Sequence, residues 1–138
     1  MFRIALYMLL IIPNLYTIAQ NQEYIQEQYS IAREHHLENH KDSVIHVLHS
    51  LSSYLDQNND SELFILEKAY LYDTMGFYFY KYGEWIKSGE LYNKGLQLLH
   101  DLEGNYDVHA RLNLHLGMLY FKLGDPNAKF YFDLREYK

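Results

Sequence analysis

Two glycines, Gly76 and Gly117, constrain this chain more than any other feature, because each stands in the same pattern of neighbours. The stretch YDTMGFYFYKYGEW places Met75, Gly76, Phe79 and Gly83 in order, and LNLHLGMLYFKLGDP places Leu116, Gly117, Tyr120 and Gly124 at the same steps, with Tyr72 and Leu112 at their heads. Downstream, Ser88 and Tyr92 match Ala128 and Phe132 once one residue is dropped from the second turn. A fainter copy precedes both, with Ala32 in the glycine's place, His35 in the aromatic's, and Val44, Leu48 and Leu51 at the later small and apolar positions. A repeat of this length is one supersecondary unit that buries its apolar face by stacking on its neighbours. The stretch from Ala69 to Leu102 carries the pattern best, and its small residues fall where two antiparallel helices would touch.

Beyond residue 20 no segment alternates apolar and polar residues between turn signals, so the expectation is helix throughout. Six segments follow from the spacing: about Gln22 to Glu38; Asp42 to Leu55, with Asp42 as N-cap; Asp60 or Ser61 to Tyr82; Glu84 to Glu103; Asp107 to Leu123; and a last one holding Ala128, Phe132 and Arg135. DQNND at Asp56–Asp60 reads as a turn, and Pro126 suits the first turn of the last helix. The third segment carries two apolar stripes, one through Ala69, Met75 and Phe79 and one through Leu66, Tyr70 and Phe77, which predicts an inner helix covered from two sides. The fourth is expected to pack through one face containing Trp85, Ser88, Tyr92, Gly95 and Leu99.

These residues resemble the tetratricopeptide repeat, in which a bulky residue, Leu-Gly, Tyr, Gly, Ala and Phe recur at set spacings. The family's usual period is about 34 residues; the longer spacing here is similar to that of repeats in bacterial regulators and exported sensor modules. The resemblance implies an all-α, right-handed helical-hairpin solenoid of about three pairs, in units near residues 22–58, 60–104 and 107–138. It also implies a binding groove lined by the first helix of each unit. By position that groove would hold Tyr29 and Arg33 with Gln26 and His36, then Tyr70, Asp73, Phe77, Tyr80 and Lys81, then Asn113, Met118, Phe121 and Lys122 with Ala110. Tyr29 and Asp73 stand where a carboxylate clamp would want Lys or Asn, so the groove suits hydrophobic or extended peptide contact with lysines at its edge. Read from helical periodicity alone, Tyr70, Phe77 and Tyr80 are core contacts.

Residues Met1 to Ala19 stand apart. Arg3 precedes the apolar run IALYMLLII, Pro13 and Asn14 follow, and Thr17-Ile18-Ala19 has the small-x-small form of a cleavage site. The expected reading is a secretory signal peptide, with an uncleaved anchor as the alternative, since the apolar run falls short of the roughly 20 residues that span a bilayer. The remaining chain would be exported, to the periplasm or beyond, and one unit more acidic than the −6 of the whole sequence. That acidity, without any basic run, excludes a nucleic-acid surface. The chain has no cysteine, hence no disulfide, thiolate metal site or cysteine nucleophile.

No G-x-S-x-G, phosphate loop or dinucleotide fingerprint occurs. In EHHLENH, His36 and His40 lie one helical turn apart near Glu34 and Glu38, but the spacing does not bring three ligands to one side, and no metal or other cofactor is expected. The sequence therefore predicts a non-catalytic protein- or peptide-binding scaffold. An alternative is the extracytoplasmic sensing part of a longer regulator, since the chain ends inside its sixth helix. Leu112, Tyr120, Phe130 and Phe132 would then offer an unfinished apolar face for self-association.

Overall fold

The computed structural model describes residues 2–57, 62–104 and 107–136, with side chains from residue 17 onward apart from residues 62, 135 and 136. Those residues form six helices and no strand: α1 (Phe2–Leu37), α2 (Lys41–Gln57), α3 (Glu62–Lys81), α4 (Trp85–Leu99), α5 (Asp107–Lys122) and α6 (Ala128–Glu136). The chain divides into two compact bodies, Met1–Leu51 and Ser52–Lys138, the division falling inside α2.

Most helix boundaries follow the sequence, and the exceptions have physical reasons. The first helix, expected to begin near Gln22, runs continuously from residue 2 through Pro13 and Asn14. One proline removes a single backbone donor, and the helix-favouring leucines, isoleucines and alanine around it sustain the rest. None of the described helices is long and apolar enough to cross a membrane. Asp42 is not the cap of α2: the helix opens at Lys41, the Val44 N–H donates to the His40 carbonyl, and Asp42 lies in the first turn, where its charge meets the positive end of the helix dipole. α4 closes at Leu99, four residues early, where the His100 N–H turns back to the Gln97 carbonyl. Asp56 belongs to α2, while the expected cap at Asp60 or Ser61 lies outside the described residues. Pro126 sits in the turn before α6, where Asp125 Oδ1 accepts the Asn127 N–H at 2.8 Å.

The sequence repeat has a structural counterpart in how three helices end. After α1 the Asn39 N–H donates to the His36 carbonyl and the His40 N–H to the His35 carbonyl. The same pair of bonds closes α3 through Gly83 and Glu84 onto Tyr80 and Phe79, and α5 through Gly124 and Asp125 onto Phe121 and Tyr120. Each turn needs one left-handed residue, supplied by Asn39 (φ 62), Gly83 (φ 80) and Gly124 (φ 71). Counting seven residues back from each reaches Ala32, Gly76 and Gly117, all buried. Counting forward through the turn reaches Val44, Ser88 and Ala128, then Leu48, Tyr92 and Phe132, with one residue fewer in the last turn.

In the second body α3 packs on α4 and α5, α5 packs on α6, and α4 also touches α5. The core gathers Ala69 from α3, Tyr92 and Leu99 from α4, and Val108, Leu112, Leu116 and Leu119 from α5. Absence of side chains lets α3 and α4 close up at Gly76 and α4 and α5 at Gly95. A Cβ on Gly76 would stand 2.6 Å from Tyr92 Cε1, and one on Gly95 would stand 2.9 Å from both Leu112 methyls. The Ser88 hydroxyl, fully buried, donates to the Gly76 carbonyl at 2.8 Å and so occupies the same notch. Gly117 repeats the arrangement with the Phe132 ring at 2.6 Å from its would-be Cβ. α3 is covered over more of its circumference than its two stripes predict, because Leu71 is buried as well, while Leu63 at its start is exposed.

Candidate functional site

The polar centre of the second body is a carboxylate in the middle of an apolar helix. Asp73 is fully buried on α3, and burying an ion is tolerable only where partners replace the water it loses. Two residues one turn apart on α5 do so. Arg111 donates from Nε and Nη2 to Asp73 Oδ2 at 3.0 and 2.9 Å, and His115 Nδ1 lies 2.6 Å from Oδ1. Because an ionised carboxylate only accepts, Nδ1 is the ring nitrogen that carries the proton in this contact. Aromatic rings enclose the group: Arg111 stands 5.4 Å from the Tyr70 ring centre, and the His115 ring lies 5.3 Å from Phe77 and 5.5 Å from Tyr92. Burial raises the Tyr92 phenol well above its ordinary range, with the Ser88 hydroxyl partly offsetting it and the Asp73 charge adding to it. Burial raises Tyr70 too, assisted by the Asp107 carboxylate.

This arrangement fastens α5 to α3. Both carboxylate oxygens are engaged, and the buried Ser88 hydroxyl donates to the Gly76 carbonyl. Arg111 and His115 were not singled out from the sequence. The available signal was Asp73 itself, a charge at a core position, matched by a cation and an imidazole four residues apart on the equivalent helix of the next unit.

The groove positions differ in what surrounds them. Tyr70, Asp73 and Phe77 meet α5 through Arg111 and His115, Tyr80 packs against the core, and Asn113 is buried, so these five are largely withdrawn from solvent. Met118 is partly covered. Lys81, Phe121 and Lys122 remain exposed, with Lys81 Nζ 5.2 Å above the Phe77 ring. Tyr29 and Arg33, the former partly buried and the latter exposed, lie on α1 in the other body, with Gln26 and His36.

Other large apolar side chains of the second body face outward. Trp85, expected in the packing face of α4, heads that helix instead and is 38% exposed; Ile86 beside it is 82% exposed. The last turn of α5 comes to the same place, with Lys122 Nζ 6.0 Å from the Trp85 ring centre and Phe121 and Leu123 exposed on either side of it in sequence.

No protein-family model, curated protein or solved structure matches the chain.

Proposed function

We propose that this chain is a non-catalytic binding module of repeated helical hairpins, similar to the tetratricopeptide repeat, that takes a protein or peptide partner after export. The observation that carries the reading is the exposure of Trp85, Ile86, Phe121 and Leu123, large apolar side chains at the start of α4 and the end of α5, where Lys122 Nζ lies 6.0 Å from the Trp85 ring centre. Exposed aromatic and aliphatic anchors with a lysine among them favour an apolar segment flanked by acidic residues. The recurrence of one turn at Asn39, Gly83 and Gly124 supports a repeat scaffold, and the saturation of Asp73 removes the most chemically suggestive residue from catalysis. Residues 1–19 are the export signal in this reading.

A displayed library of apolar peptides with acidic flanks, panned against the full chain, tests it. Enriched sequences should bind wild type and lose at least tenfold in affinity to Ile86→Ser/Phe121→Ser, whose helicity by circular dichroism should be unchanged. Equal binding by the double variant would place the contact elsewhere, and absence of any enrichment would refute peptide capture.

A further inference from the structure

The turn that ends α1 differs from its two counterparts in what it brings together. Its two hydrogen bonds force the third-last helical residue beside the third residue after the helix, a juxtaposition in which apolar side chains ordinarily meet. At the end of α3 these positions hold Phe79 and Glu84, and at the end of α5 Tyr120 and Asp125. At the end of α1 they hold His35 and His40, with Glu38 between them in sequence. The two imidazole centres are 6.0 Å apart, and Glu38 Oε2 lies 3.2 Å from His40 Nδ1 and 3.9 Å from His35 Nδ1. One ligand atom from each residue lies within 4.8 Å of the other two.

A second observation points to something missing from this cluster. His35 Nδ1 is buried and has no hydrogen-bond partner among the described residues, the Glu38 oxygen being beyond hydrogen-bond reach. Buried ring nitrogens are normally satisfied, and a nitrogen facing a carboxylate and a second imidazole is placed for a cation that all three can share. With metal–ligand bonds of about 2.0–2.1 Å, tetrahedral ligand atoms stand roughly 3.3 Å apart. Small side-chain rotations bring the present separations to that value, while the backbone is already fixed by the turn.

We propose that His35, Glu38 and His40 bind one divalent transition-metal ion of the zinc class. Two imidazoles and a carboxylate suit zinc, nickel or copper, whereas calcium and magnesium favour all-oxygen shells. Three protein ligands leave a coordination position open to water or to a donor from another molecule. The pair foreseen from helical spacing, His36 and His40, is not the one assembled, because the helix ends at Leu37 and the left-handed Asn39 swings His40 back over His35. Bound there, the ion ties the last turn of α1 to the first and last residues of the connection into α2.

Titration of the full chain with zinc chloride, followed by calorimetry and by thermal melting, tests the site. Wild type should take up one equivalent and melt at a higher temperature with zinc than without it. His35→Gln and His40→Gln should each weaken binding at least tenfold and abolish the thermal shift, and exposed Glu38→Gln, the variant least able to disturb folding, should also weaken it. His36→Gln and the double variant His46→Gln/His49→Gln should bind as wild type does, and calcium chloride should give no binding. Absence of a one-to-one event in wild type overturns the proposal. So does wild-type affinity in Glu38→Gln and His40→Gln, or an equal loss in His36→Gln.

Discussion

The second and third hairpins are built on one plan and finished to different degrees. In the second, the notch at Gly76 receives a tyrosine that is 1% exposed, and a buried hydroxyl from Ser88 closes the notch by bonding the Gly76 carbonyl. In the third, the notch at Gly117 receives Phe132, which keeps partial exposure, and the serine is replaced by Ala128, whose methyl side chain has no hydroxyl to donate. The difference is one of cover: α3 and α4 both lie against α5, while the described residues that cover α6 belong to α5. A repeat can therefore conserve its geometry while its energetic weight is concentrated in the copy that has neighbours on more sides.

Deleting the rings gives the largest contrast. Tyr92→Ala should destabilise the chain by about 3–5 kcal/mol in chemical denaturation, the range for emptying a large aromatic site in a close-packed core. Phe132→Ala should cost roughly half of that or less, because a partly exposed ring leaves less of a cavity and surrenders less buried area. Equal costs would show that α6 is as well covered as α4.

Filling the notches should give a smaller effect of the same order. Gly76→Ala puts a methyl group against the Tyr92 ring, which has no room to retreat, and should cost about 1–3 kcal/mol. Gly117→Ala meets Phe132 as closely, but that ring can move outward, and the loss should stay below about 1 kcal/mol, read from the same denaturation midpoints. A larger loss at Gly117 would reverse the ranking of the two hairpins.

The smallest effect appears in alkali. Burial raises Tyr92, and burial with the neighbouring Tyr120 phenol raises Tyr131, stacked on Tyr120 at 5.1 Å. Below the ordinary tyrosine value of 10.0 both states of the chain keep these protons, and the stabilising contribution is complete. Above it the unfolded chain ionises first while the folded chain holds its protons, so unfolding gains and stability falls as pH rises. Tyr92→Phe should flatten that decline more than Tyr131→Phe, measured as the change in denaturation midpoint between pH 9 and about 11.

The turns were the most legible part of the sequence. Gly83 and Gly124 announce left-handed residues because no other residue takes that conformation so readily, and the spacing from each back to Gly76 and Gly117 carried the notches with it. Asn39 fills the same role less visibly, since asparagine is only tolerant of positive φ. Helix periodicity separated buried from exposed faces well in mid-helix and poorly at the ends, which is why Trp85 was placed in the core and is found at the surface. What the sequence hid were partnerships across large separations. Asp73 and Arg111 lie 38 residues apart, and no local pattern pairs them; only the register of α3 against α5 does. The meeting of His35 with His40 was hidden differently, by applying helical spacing across a point where the helix had already ended.

A chain with a recurring hairpin invites treatment as a string of interchangeable beads, to be shortened or lengthened at the joints. Asp73 makes this one otherwise. Its charge belongs to the second hairpin and both of its counter-groups to the third, so a cut between α4 and α5 would strand an anion inside the piece that was kept. The smallest piece that can be separated without that debt is α3, α4 and α5 together, a three-helix unit that straddles the boundary the repeat draws in the sequence.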